Sequence, residues 1–172
     1  MYLLSGMNEQ ITGFSPIVGQ NPKILILGTM PSIASLRANE YYAHPGNAFW
    51  KILSAIKGID CPADYKEKRS LIIDMKLALW DVCQACIRPG SADSDIRNEI
   101  PNLIAELLAD KPTIHTIIFN GQTAMKLYFR HLKKIEGITT ITLPSTSPAN
   151  TMPFVQKLED WKVIEKIAKF NR

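Results

Sequence analysis

Two adjacent tyrosines, Tyr41 and Tyr42, are followed after a single alanine by His44. Much later in the chain come Asn120 and a run of hydroxyl and turn residues, Ser145-Thr146-Ser147-Pro148-Ala149-Asn150. These residue types share one chemistry. An aromatic face stacks a planar base. An Asn amide carries both a donor and an acceptor, which suits a base edge. Ser-rich turns with free backbone N–H groups bind phosphate. An imidazole can position or polarise a water. There is no GxGxxG fingerprint and no phosphate-cradling P-loop. The combination describes a small hydrolase or binder that acts on a planar heterocycle within a polyanion. A plainer account also stands: Tyr41 and Tyr42 pack a loop, Asn120 caps a helix, and His44 holds a turn.

Something must bring these residues together. The stretch 28–50 follows a short apolar run, Lys23 to Leu27, which reads as a buried parallel strand. Further strands are expected at Leu77 to Val82, Thr113 to Phe119 and Ile138 to Leu143. Helical spacing recurs at Phe49, Ile52, Leu53 and Ile56, with Asn47 as N-cap and Gly58 as terminator. Helices are also expected from Asp64 to Met75, from about Pro101, after Gly121, and as one last helix carrying Phe154, Leu158, Trp161, Ile164 and Ile167 on one face. Residues 1–22 read as a leader broken by Gly13, Pro16, Gly19 and Pro22, and residues 88–95 as a polar loop. Alternating strands and helices imply a parallel sheet between helical layers. Active sites of open α/β sheets lie outside the carboxyl ends of the strands. Tyr42, His44, Asn120 and Ser145 to Asn150 should therefore share one cleft.

The totals exclude several classes. The 172 residues suffice for one domain, residues 1–172. A hydrophobic share of 46% with 21% charged residues is that of an ordinary globular protein. No apolar run approaches the ~20 residues that span a bilayer, and the start, Met1 to Gly6, lacks a signal-peptide pattern. Three cysteines make no disulfide framework, so a cytoplasmic location is expected. The net charge of +4 permits nucleic-acid binding. Cys83-Gln-Ala-Cys86 has redox spacing without the flanking redox pattern. His115 reads as a core or edge residue, and His131 as part of a basic helix end with Lys133 and Lys134.

Gly28-Thr-Met-Pro-Ser32, Tyr41-Tyr-Ala-His-Pro-Gly-Asn-Ala-Phe-Trp50, Phe119-Asn-Gly121 and Leu143-Pro-Ser-Thr-Ser-Pro148 together resemble the uracil-DNA glycosylase superfamily. Within it, the likeness is to the hypoxanthine (deoxyinosine) DNA glycosylases and next to the mismatch-specific uracil/thymine glycosylases. The resemblance implies a three-layer α/β/α fold with a four-stranded parallel sheet. It also implies base flipping, hydrolysis of the N-glycosidic bond without metal or cofactor, and DNA containing deaminated bases as partner of a monomer. It places Gly28, Met30, Tyr42, Asn120, Ser145 and Ser147 around the base, and Ser32, Pro148, Ala149 and Asn150 against DNA. Met30 stands where many members carry a catalytic Asp or Asn. The expected water-positioning residue is then His44, with Asn39 as runner-up and Asp81 third. Ala149 and Asn150 replace a bulky wedge, which favours weakly paired or single-stranded substrates. The competing readings are a damage-binding protein of the same fold that has lost catalysis, and a thiol redox protein using Cys83 and Cys86.

Overall fold

Side-chain alternation in the apolar runs divides the molecule into two cores. Ile24 and Ile26 enter one buried cluster while Leu25 and Leu27 enter the other. Leu77 and Leu79 separate from Ala78 in the same way, and Ile118 from Ile117 and Phe119. A sheet buried on both faces is the only arrangement that satisfies this pattern.

The computed structural model describes residues 9–171. The stretch Met1 to Gly6 lies outside the described residues. In chain order the elements are β1 (Gln10–Thr12), β2 (Ile17–Val18), β3 (Ile24–Gly28), α1 (Ile33–Ala38), α2 (Phe49–Lys57), α3 (Tyr65–Asp74), β4 (Leu77–Asp81), β5 (Cys83–Ile87), a 3-10 turn at Asp93–Asp95, β6 (Arg97–Pro101), α4 (Ile104–Asp110), β7 (Thr116–Asn120), α5 (Gln122–His131), β8 (Thr139–Leu143), α6 (Phe154–Trp161) and α7 (Val163–Ala168). The strands β4, β3, β7 and β8 lie side by side and run parallel. These are the four expected strands. Residues of α2, α3, α6 and α7 form one core with the sheet, and residues of α4 and α5 the other, so the fold has three layers. No helix among the described residues is long and apolar enough to cross a membrane.

Several expectations need correction. The leader is partly structured: β2 adds a fifth, antiparallel strand beside β4, and β1 joins β5 and β6 in a separate antiparallel sheet. The polar loop at residues 88–95 is shorter than the excursion it belongs to, which continues as β6. Pro101 ends β6 and does not open a helix; α4 begins at Ile104. Arg97, Asn98 and Ile100 of β6 are exposed, so no apolar alternation marks it; pairing with β5 alone makes it a strand. The long stretch 28–50 contains α1, too short to show periodicity. The last helix is two, with Lys162 ending α6 and opening α7, and Phe154 is exposed rather than in the core.

Trp161 locks α6 to the edge of the sheet that carries the candidate site. It is fully buried, and its indole N–H donates to Pro144 O at 2.9 Å. Trp161→Ala is expected to lower the unfolding free energy by about 3–5 kcal/mol. Urea unfolding should show this as a lower midpoint at an unchanged slope. A loss below about 1 kcal/mol would show that α6 docks by other contacts.

Candidate active site

Parallel strands deliver Gly28, Asp81, Asn120 and Leu143 to one edge of the sheet. The loop before α2 folds back over that edge because Tyr41 is tied down on every side. The Tyr41 hydroxyl donates to Ser15 O at 3.0 Å, and its backbone N–H donates to the Tyr65 hydroxyl at 3.1 Å. Its carbonyl accepts from Trp50 Nε1 at 2.8 Å. With Tyr41 committed to the core, Tyr42 adopts a left-handed backbone, φ 53°. That conformation is uncommon for a bulky residue and marks a constrained site. The Tyr42 ring stacks on Phe49, centroids 4.1 Å apart. A base could use only its other face.

The Tyr42 hydroxyl reaches the sheet edge, the floor beneath its loop. A methyl group at Gly28 would overlap Asp81 Oδ1 and lie 2.7 Å from the Tyr42 hydroxyl oxygen. Only glycine lets both oxygens sit against this backbone. Asp81 Oδ2 is buried without a hydrogen-bond partner, and the buried Tyr42 hydroxyl makes no well-aligned hydrogen bond, its neighbour being the Asn120 side chain. Buried polar atoms are nearly always paired, so an unsatisfied carboxyl oxygen beside a loosely held hydroxyl sets this strand end apart. Burial raises the Tyr42 pKa, the Asp81 charge adds to this, and the Asn120 side chain lowers it. Burial is also the main reason that the Asp81 carboxyl is pushed up to about 7. Asp93 raises it further and Arg88 opposes them.

A polar network supports the floor from behind. Thr29 donates its hydroxyl to Asp93 Oδ1 at 2.8 Å. The buried Arg88 guanidinium donates to Gly90 O at 2.7 Å and to the carbonyls of Met30 and Pro31, and stands 3.9 Å from Asp93. The Asp81 carbonyl accepts from Asn102 Nδ2 at 2.8 Å. Nothing in the string Arg88 to Asp95 beyond its polarity announces these roles.

Asn120 faces the same edge, but its amide is already committed. Its Nδ2 donates to Thr146 Oγ1 and its Oδ1 accepts from Thr146 N, both at 2.9 Å. One N–H and one lone pair remain, and the Tyr42 hydroxyl is their neighbour within the protein. The pair also fixes the loop after β8. Within that loop, Ser147 N donates to Ser145 Oγ, Ala149 N to Ser147 Oγ, Asn150 N to Ser147 O and Met152 N to Asn150 Oδ1. The backbone N–H groups of Thr146, Ser147, Ala149 and Asn150, expected to be free for phosphate, are thus used within the protein. The hydroxyls of Ser145 and Ser147 accept two of those bonds, which leaves each O–H free to donate.

The remaining sequence candidates separate. His44 is exposed at the rim. Its Nδ1 accepts from Gly46 N at 3.0 Å, so the turn-holding account applies and the ring proton sits on Nε2, as a donor. Gly46 is sandwiched between the His44 ring and Pro148, so this turn abuts the Ser145–Asn150 loop. Ala48 N donating to Thr146 O at 3.0 Å joins the two again. Asn39 is the exposed left-handed C-cap of α1, where Asn is favoured for its backbone. Ser32 is the N-cap of α1, accepting from Ser35 N at 3.2 Å. Met30 is buried in the apolar core and presents no polar atom to replace a carboxylate. Pro148 and Ala149 form the exposed loop tip, whereas Asn150 is half-buried and donates to Ser145 O at 2.9 Å.

Cys83 and Cys86 are buried free thiols. Burial pushes the Cys83 thiol up to about 12 and raises Cys86 as well, the reverse of what a redox nucleophile needs. His131 contacts Glu99 at 3.2 Å, and His115 contacts Thr116 Oγ1 at 3.0 Å. His115 is exposed, not part of the core. Because α5 starts at the cleft edge and runs back some 15 Å, His131, Lys133 and Lys134 lie toward the opposite edge of the sheet, where β7 and β8 begin.

Comparison with known proteins gives a consistent set. The family model described as the uracil DNA glycosylase superfamily matches residues 16–169. A protein of Methanosarcina barkeri named hypoxanthine DNA glycosylase is 33% identical over 87% of this chain and 94% of its own length. One of the same name from Methanosarcina acetivorans is 34% identical over 88% and 96%. A Schizosaccharomyces pombe G/U mismatch-specific uracil DNA glycosylase is 28% identical over 59% of this chain and 30% of its own. The solution NMR structure of a candidate uracil DNA glycosylase from Methanosarcina acetivorans superposes with a TM-score of 0.77 at 33% identity, covering 91% of this chain and 99% of that one.

The raised Asp81 carboxyl makes a thermodynamic prediction. Its folded-state pKa of about 7 lies above the ordinary 3.8, so the folded state holds this proton more tightly. The stability it contributes is present below pH 3.8 and is lost as pH rises through about 7. Asp81→Asn should therefore flatten the fall in unfolding free energy between pH 4.5 and 7.5, leaving a smaller slope from Asp93, which is raised too. Denaturant titrations across that range test it; parallel pH profiles for both proteins would show that Asp81 is not desolvated as described.

Proposed function

The chain belongs to the uracil DNA glycosylase superfamily, and on that premise we propose that it excises a deaminated base from DNA by hydrolysis, hypoxanthine first and uracil second. Two relatives at 33–34% identity over nearly their whole length bear the name hypoxanthine DNA glycosylase, which supports the order of substrates. The observation that carries the reading is the meeting of the Asp81 carboxyl and the Tyr42 hydroxyl against a glycine at the carboxyl edge of the sheet, with Asp81 Oδ2 left without a hydrogen-bond partner. A flipped base of matching donors and acceptors would satisfy both. The protein acts as a single-domain monomer in the cytoplasm under this reading.

The chemistry follows from the residues. Water adds at the sugar C1′ as the glycosidic bond breaks, and the base leaves with the bonding electrons. The developing negative charge on the base needs donors that are already oriented. Tyr42 supplies a hydroxyl, Asn120 its remaining amide N–H, and Asp81 in its protonated form a carboxyl O–H. Ser145 and Ser147 hold the sugar-phosphate side through their free O–H groups, with Pro148, Ala149 and Asn150 on the DNA path and Ser32 shaping the wall through α1. His44 donates from Nε2 toward the water or the ribose; as long as Nδ1 holds Gly46, it orients rather than deprotonates. A binding-only role is the alternative that Met30 favours, since it removes the usual polar group from the strand end.

Single-turnover excision from inosine- and uracil-containing oligonucleotides, with alkali to reveal abasic sites, tests the reading. No abasic product from either would sink it. Asp81→Ala is expected to slow excision about 10²–10³-fold, as for loss of one oriented donor. Asp81→Asn, which keeps an N–H, should retain more activity and lose the decline that wild type shows above pH 7. His44→Ala should cut the rate more than it weakens DNA binding, and His44→Asn should recover part of it. Asn39→Ala should leave excision unchanged; if it alone abolishes chemistry, the water-positioning role lies there instead.

A further inference from the structure

Beneath the loop after β8 sits a cation without a counter-charge. Lys157 leaves the first turn of α6 and is only 4% exposed. Its ammonium donates to Ser147 O at 3.2 Å and to Asn150 O at 2.8 Å. Both acceptors are neutral, and no carboxylate pairs with it among the described residues. An ammonium has three N–H donors, so one remains. Burial lowers its pKa, the mark of a charge that the protein does not compensate. A neutral donor would brace the same two carbonyls with less desolvation, so the loop alone does not account for a lysine here.

Lys157 lines an open cavity of about 410 Å³. Gly46 and Asn47 form one wall, Pro148 and Asn150 another, and Lys51 and Phe154 the mouth. One wall belongs to the loop that carries Tyr42 and the other to the loop clamped to Asn120, so the cavity lies between the two loops of the candidate site. Lys51 is an exposed second cation, and Phe154 is an apolar ring left 41% exposed at the rim. The loop's own amides are used internally, as described above, so it offers an anion hydroxyls rather than a nest of N–H groups. The strongest attraction for an anion on this side of the pocket is the lysine pair.

We propose that this cavity is a phosphate subsite for the damaged strand, in which Lys157 and Lys51 hold one backbone phosphate beside the flipped nucleotide while Phe154 lies against the neighbouring sugar or base. The inference rests on the glycosylase reading for its ligand, a DNA strand. It goes beyond it by assigning the strand's path across α2 and α6, away from the basic end of α5.

The test uses inosine oligonucleotides carrying one uncharged methylphosphonate at each position flanking the lesion. Binding is measured by titration and excision in parallel. Wild type should show one position where neutralisation weakens binding about tenfold, the scale of a charge-assisted contact. In Lys51→Gln and in Lys157→Met that penalty should shrink to about twofold, and each variant should lower the slope of log affinity against log salt by about 1. Lys51 is exposed, so its variant decides the matter should Lys157→Met fail to fold. Lys133→Gln with Lys134→Gln should leave penalties and slope unchanged. Position-specific penalties that persist undiminished in Lys51→Gln would overturn the subsite. Absence of any abasic product from wild type, with the penalty pattern intact, would instead overturn the glycosylase reading and leave the subsite standing.

Discussion

At Gly28, two oxygens from different parts of the chain, Asp81 Oδ1 and the Tyr42 hydroxyl, meet against one backbone. The rest of the cleft is arranged to make that contact possible. It requires a residue without a side chain at the end of the central strand, since any Cβ would collide with the Asp81 carboxyl and the Tyr42 hydroxyl. It requires a strand neighbour ending in register, which the parallel pairing of Gly28 with Asp81 provides. It requires Tyr42 to enter from above in a left-handed conformation, which the hydrogen bonds around Tyr41 impose. Local cost is accepted here because the surrounding sheet is rigid enough to impose it.

The electrostatics follow from the same packing. A carboxyl buried beside a second carboxyl is held less acidic than in water, and the Arg88 guanidinium only partly offsets this. Arg88 spends its hydrogen bonds chiefly on carbonyls of the strand-end loop. It therefore stiffens the loop's backbone rather than pairing tightly with either acid. A strand end built this way keeps a proton available near neutrality, while Lys51 and Lys157 stand apart from it on α2 and α6.

The loop after β8 shows how a small polar motif can be used twice. Ser145, Ser147 and Asn150 satisfy the loop's own amides, and Thr146 clamps the loop to Asn120. The hydroxyl hydrogens are what this arrangement leaves over. Lys157 then supports the loop from below through two carbonyls. Rigidity and spare donors come from the same side chains, because a hydroxyl can accept from the backbone and still donate outward.

The sequence by itself determined the four parallel strands, most helices and the likeness to a family, because period-two apolar runs and helical spacing are local signals and the Tyr41 to Trp50 block is distinctive. It also brought Tyr42, His44, Asn120 and the Ser145–Asn150 loop to one edge, since a parallel sheet puts alternate loops on the same side. Only the tertiary structure decided what each side chain does there. Asn39 and Ser32 proved to be helix caps, which composition cannot separate from site residues. Asp81, third among the water-positioning candidates, moved to the pocket floor because its partner is a glycine 53 positions away in sequence. The strands β1 and β6 were invisible because one is half-exposed and three residues long and the other exposes most of its side chains, so pairing rather than pattern makes them. Lys157 is one of several lysines between residues 157 and 169, with nothing in the sequence to distinguish it, and burial beneath a distant loop singles it out. Local chemistry is written residue by residue, whereas burial and the absence of a partner are properties of the folded whole.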